Sequence, residues 1–161
     1  MNDTQNGAQP FCAKRSIQEN LTMLTDFYEI TMANGYFENG FEETIAYFDM
    51  FFRHVPDGGG FAIMAGVQQL IEYMEQLHFT QEDIDFLRSK GVFCEGFLQY
   101  LANFEFCCDV WAVPEGRPIF PGEPIVTVRG PVIQAQFVET MLLLTVNHQS
   151  LIATKANRIV R

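Results

Sequence analysis

The chain has 161 residues, 48% hydrophobic and 19% charged, with a formal net charge of −10 and a pI near 4.6. That length suits one domain, or one domain and the start of another. The acidity argues against a nucleic-acid binder, because no cluster of Lys and Arg appears before the last seven residues, and an anionic substrate would need a local basic cluster.

Residues 1–10 are polar and lack the apolar core of a signal peptide, and residues 1–20 read as a flexible N-terminal arm. Thr25 is the expected N-cap of a first helix, with Asp26 and Glu29 in a first turn where the helix dipole favours anions. The helix is predicted to reach Asn39 and stop at Gly40, with Met23, Phe27, Ile30, Ala33 and Phe37 forming its core stripe. Residues 44–52 predict a buried strand ending at Arg53 and His54, followed by the turn signal Pro56-Asp57-Gly58-Gly59-Gly60. Residues 61–77 predict a helix after an irregular start. Thr80 and Asp83 make a capping-box pattern for a helix over 81–89 that Gly91 closes, and a further helix is predicted over 94–103.

Residues 109–131 hold five of the seven prolines, separated by short β runs and by turns at Gly116, Gly122 and Gly130. They predict a compact set of antiparallel strands. Residues 132–160 predict one continuous helix of roughly seven to eight turns, buried on most sides between Met141 and Val146. It reaches Arg161 with no stop signal, so the chain is expected to continue. The domain expectation is therefore an arm at 1–20, an α/β domain at 21–131, and a long helix at 132–161 leading into a second domain. No stretch of about 18 apolar residues predicts a membrane span, and a cytoplasmic location is expected.

The four cysteines, Cys12, Cys94, Cys107 and Cys108, show no Cys-x-x-Cys spacing and read as free, mostly buried thiols. His54, His78 and His148 lie far apart and share no ligand spacing, so no metal site is expected. His148 has no carboxylate near it in sequence and reads as a structural histidine rather than a base.

Two residues stand out. At 100° per residue Tyr28 lies off the core stripe, on the side of Met32 and Gly35. It suits either stacking on a flat ligand or partner, or packing in a second core layer. Arg53, at a strand end before a glycine-rich turn, suits either a phosphate contact or a surface ion pair with Asp49 or Asp57. The triple glycine could offer backbone N–H groups to a phosphate, but it lacks the ending of a P-loop and reads better as a turn. Gln136, Thr140, Asn147, Thr154 and Arg158 share one narrow arc of the last helix. That arc is either a solvated stripe or a polar face toward a barrel mouth or subunit contact.

Leu24-Thr25-Asp26-Phe27-Tyr28, then Tyr47 to Arg53, then Pro56 to Gly60 with Phe61-Ala62 and Ala65-Gly66, resemble successive blocks of nicotinate phosphoribosyltransferases. Glu115-Gly116 through Pro124-Ile125 and Glu139-Thr140 through Asn147 continue the likeness. The resemblance implies an N-terminal α/β domain joined to an irregular α/β barrel. It implies a homodimer with shared active sites that makes nicotinate mononucleotide and pyrophosphate from nicotinate and phosphoribosyl pyrophosphate. ATP hydrolysis, with Mg2+, is coupled through a phosphorylated histidine that would lie beyond Arg161, so no catalytic residue falls within these 161. On the same basis Tyr28 is the nicotinate-binding residue, Arg53 a phosphate contact and Asp26 a supporting residue. A nicotinamide or quinolinate relative is the alternative within the class. A stand-alone binding or carrier module is the alternative outside it, disfavoured because 109–131 contains no lysine to modify.

Overall fold

The structure is a computed structural model that describes residues 20–55 and 58–160. The arm at residues 1–19, Cys12, Pro56, Asp57 and Arg161 lie outside the described residues. The chain is α/β, as its pattern predicts. In order the elements are α1 (Phe27–Glu38), β1 (Ile45–Met50), β2 (Ala62–Ile63), α2 (Val67–Met74), α3 (Gln81–Ser89), α4 (Glu95–Ala102), β3 (Asp109–Ala112), β4 (Pro118–Ile119), β5 (Val126–Pro131), α5 (Val132–Gln136), α6 (Glu139–Leu142), a π-helical segment (Leu143–Asn147) and α7 (His148–Ile159).

Two small antiparallel sheets form. One has the order β1-β5-β3 and the other pairs β2 with β4. The Pro/Gly-rich segment thus supplies strands to both sheets, rather than forming one set of its own. The register Tyr47↔Arg129↔Asp109 and Asp49↔Thr127↔Trp111 puts these residues on one face of the larger sheet. That face is solvated. Arg129 donates to the Tyr47 hydroxyl at 2.9 Å and to Asp109 at 2.8 Å, and Thr127 donates to Asp49 at 2.5 Å. The opposite face, with Met50, Val126 and Val128, lies in the core, and α5 packs against β1 and β5. β1 was expected to be buried, but helices cover only one side of its sheet, so Ile45 and Tyr47 are exposed.

α3 is the element the sequence specifies most directly. The Thr80 side chain accepts from the Asp83 backbone N–H, Asp83 accepts in return from the Thr80 backbone N–H at 2.8 Å, and Gly91 follows the helix at φ +67°. Thr80→Ala is expected to cost about 1 kcal/mol, read as a lower urea midpoint at unchanged slope. α4 also falls where expected, with Cys94 at its N-cap. It carries the aromatic centre of the core: Phe97 is fully buried among Phe37, Phe93 and Tyr100, at ring distances of 6.0, 6.0 and 6.4 Å.

The predicted helix over 61–77 is a two-residue strand followed by α2. Gly66 makes the change of direction at φ +98°, and a Cβ there would stand 2.9 Å from the Thr145 carbonyl oxygen. Only glycine fits that approach in that conformation. The Glu115 carboxylate accepts from the N–H groups of Gly66 (2.8 Å) and Gln68 (3.2 Å), capping α2. Gly59 sits close under α7: a Cβ there would stand 2.1 Å from Arg158 Nη2. Only Gly59 of the three is crowded; a Cβ at Gly58 or Gly60 would meet nothing within 4 Å.

The expected continuous helix over 132–160 is interrupted. It turns at Phe137 and Val138, then widens into the π segment. Widening changes the residues per turn, so one apolar face cannot persist along the whole run. Leu142, Thr145 and Val146 stay buried, while Leu143 and Leu144, expected inside, are exposed. Cys94 and Cys108 are only partly buried and Cys107 is exposed, although most thiols were expected inside; all three are free. Burial pushes the Cys108 thiol up to about 12. Among the described residues no helix is long and apolar enough to cross a membrane.

Candidate ligand-facing site at the start of α1

The first turn of α1 meets the first turn of α6. Asp26, not Thr25, is the N-cap of α1, and its backbone N–H donates to the Thr140 hydroxyl at 3.1 Å. Thr25 sits one residue earlier and donates its hydroxyl to Glu29. Thr140 donates to the other Glu29 oxygen at 2.5 Å. Glu29 is fully buried. Its two hydroxyl donors replace part of the hydration that burial removes.

This non-local pairing reorients the helix. Glu29, Ile30, Ala33 and Asn34 face inward, and Phe27, expected in the core stripe, is 49% exposed and meets Phe93 edge-on at 5.8 Å. Tyr28 does point away from the core, with 47% of its surface exposed. Its hydroxyl donates to Glu139 Oε1 at 3.0 Å. Desolvation, then the bond to Glu139 and the charges of Glu139, Glu29 and Asp26, push the phenol up to about 12, so it stays a donor at neutral pH.

Burial holds the Glu29 carboxyl above its ordinary value. The hydroxyls of Thr140 and Thr25 pull it down, and the charges of Glu139 and Asp26 add to the rise. A carboxyl raised on folding stabilises the fold below its unfolded value, and that contribution is lost as pH rises through the folded value. Glu29's contribution to the thermal midpoint should therefore decline upward from about pH 4. Glu29→Gln should flatten that decline in calorimetric scans, and parallel profiles for the two proteins would contradict the assignment.

Glu139 also lines a cleft of about 280 Å³, walled by Phe48, Met50, Val128, Val138 and Leu142, with Asp49 as its other acidic member. The polar arc of the last helices is not one solvated stripe: Gln136 and Thr154 are buried, whereas Asn147 and Arg158 are exposed. Gln136 is 2% exposed, with its Nε2 at 3.5 Å from the Glu29 carbonyl, Thr140 holds Glu29, and Thr154 accepts from the Ile63 N–H at 2.8 Å. Asn147 alone of the inner three is exposed. His148, expected as a structural histidine, is exposed on the surface.

The structure thus brings Asp26 and Tyr28 together with Glu29, Glu139 and Thr140. Arg53 lies exposed beyond the end of β1, and among the described residues no hydrogen bond or ion pair joins it to that cluster or to Asp49. Glu29 and Glu139 carried no assigned role in the sequence. The available signal was phase: Glu29 adjoins Ile30 on the inward side, and a carboxylate there needs donors, which Thr25 and Thr140 supply.

The first turn of α1 in this α/β domain is thus closed against α6, with the Tyr28 ring left outward. Residues 23–147 match the family described as the nicotinate phosphoribosyltransferase (NAPRTase) N-terminal domain, and the chain belongs to that family. It is 43% identical over 138 residues to nicotinate phosphoribosyltransferase pncB2 of Mycobacterium tuberculosis, covering 86% of this chain and 30% of the relative. It is 41% identical over 141 residues to nicotinate phosphoribosyltransferase of Bacillus subtilis, covering 88% and 29%. The crystal structure of human nicotinic acid phosphoribosyltransferase superposes with a TM-score of 0.79 at 38% identity, over 84% of this chain and 28% of that one. The chain therefore spans about 30% of the length of the curated relatives it matches.

Proposed function

We propose that this domain is the N-terminal part of a nicotinate phosphoribosyltransferase, which joins nicotinate to phosphoribosyl pyrophosphate and releases pyrophosphate. The observation that carries the reading is Tyr28: an aromatic ring on the first turn of α1, half exposed and tied at its hydroxyl, which suits stacking on a planar aromatic acid. The ring nitrogen would displace pyrophosphate at the ribose anomeric carbon, with cationic groups stabilising the leaving group. Arg53 is the residue of this chain offered to a phosphate, and Asp26 supports Tyr28 by fixing the start of α1. The site is shared between subunits of a homodimer, Tyr28 serving the neighbour's.

ATP and Mg2+ belong to the complete enzyme. Among the described residues no group of three His, Cys, Asp or Glu is arranged to hold a metal ion, so no step is routed through Mg2+ here. The phosphorylated histidine has no counterpart in this segment, and the 161-residue chain alone is expected to be inactive. Titrating the complete gene product with nicotinate, nicotinamide and quinolinate tests the choice of base. Nicotinate should bind tightest, and tighter binding of nicotinamide or quinolinate would move the protein to that alternative.

A further inference from the structure

Glu139 is the one side-chain partner of an exposed aromatic hydroxyl in this site. It opens α6, and it and Thr140 reach back to α1 together. Thr140 fixes the backbone of α1, through the Asp26 N–H and the Glu29 carboxylate. Among the described residues Glu139 makes no such backbone contact, and its carboxylate accepts from Tyr28 alone. A surface tyrosine gains little stability from such a bond, since water would serve its hydroxyl equally well. What the bond does is select one orientation for a ring that no other aromatic side chain among the described residues stacks against.

We propose that Glu139 is a positioning residue for the pyridine base: it holds Tyr28 in the stacking orientation through the phenol hydrogen bond. The proposal rests on the reading of Tyr28 given above. The carboxylate has a second effect. Hydrogen bonding to an anion makes the phenol ring more electron-rich, which favours an electron-poor pyridine against its face. The carboxylates of Glu139 and Asp26 beside the ring disfavour an acid group of the base that points toward α1, so this side of the site sets how the base lies.

The test is a double-mutant cycle in the complete gene product, with KM measured separately for nicotinate and for phosphoribosyl pyrophosphate. Glu139→Ala and Tyr28→Phe should each raise the nicotinate KM about tenfold, and the double variant no further, because both remove the same bond. The KM for phosphoribosyl pyrophosphate should stay within about twofold. Glu139→Gln, which keeps an acceptor at the same place, should restore the nicotinate KM to within about threefold of the wild type. Multiplying penalties in the double variant, an unaffected nicotinate KM in Glu139→Ala, or equal changes for both substrates would overturn the positioning role, even if Tyr28→Ala still weakened nicotinate binding at least about tenfold. Loss of that last effect, or absence of nicotinate turnover by the wild type, would instead overturn the reading on which the proposal rests.

Discussion

Tyr28→Ala in the complete gene product is expected to weaken nicotinate binding about 10- to 100-fold, the equivalent of one lost ring stack of roughly 1–3 kcal/mol. Stability should fall by less than about 1 kcal/mol, because the ring is half exposed and its removal opens no cavity. Binding is read by calorimetric titration and stability by the thermal midpoint of the same preparation. The ratio of the two effects carries the meaning. A core tyrosine such as Tyr73, buried and bonded to the Phe137 carbonyl at 3.4 Å, would show the reverse: a large loss of stability and an indirect effect on binding. If Tyr28→Ala behaved that way, the ring would belong to the core and the motif from Leu24 to Tyr28 would mark ancestry alone.

Phe97→Ala is the corresponding core experiment and should have the largest effect on folding. Phe97 is fully buried, and its ring contacts Phe37 of α1, Phe93 and Tyr100. Truncation removes the whole ring from a site that α1 and α4 close from both sides, so the cavity collapses only in part. Such substitutions cost about 3–5 kcal/mol, a large share of the roughly 5–15 kcal/mol that holds a domain together. The midpoint should fall by about 10 °C, measured by circular dichroism. A fall under about 2 °C would mean that the aromatic cluster repacks freely, and that α1 is held mainly by the Glu29 and Tyr28 contacts with α6.

Local signals survived from sequence to structure where they are self-contained. The capping box at Thr80 and Asp83 fixes α3 because both partners lie within four residues and need nothing distant. The turn glycines and the β runs of 109–131 were likewise legible as elements. Their assignment to two sheets was not, because pairing of β4 with β2 and of β5 with β1 depends on residues about 55 and 80 positions away. The burial of β1 was misjudged for the same kind of reason: an apolar run states that a strand forms, but not whether both sides of its sheet are covered.

The site shows the sharpest contrast. Helical phase put Tyr28 off the core stripe, open to a ligand or to a second core layer, and the structure leaves its ring half exposed. Phase also put Phe27 inward, and there it failed, because the stripe rule sends apolar residues to the core and leaves carboxylates outside. Here Glu29 takes the inner place, since Thr25 and Thr140 supply hydroxyls that make its burial tolerable. Thr140 lies 111 residues away, so no local pattern announces it. The π segment is the other hidden feature. It shifts the apolar face midway along what reads as one helix, and it places Thr145 against Gly66.

One measurement tests the central claim most directly: whether the complete gene product, supplied with nicotinate, phosphoribosyl pyrophosphate, ATP and Mg2+, forms nicotinate mononucleotide and pyrophosphate in equal amounts. It should do so, and the Tyr28→Ala variant, folded and with a thermal midpoint lowered by no more than about 4 °C, should do so with a nicotinate KM raised at least about tenfold. A folded wild-type protein that forms no nicotinate mononucleotide, or a Tyr28→Ala variant with an unaltered nicotinate KM, would contradict it.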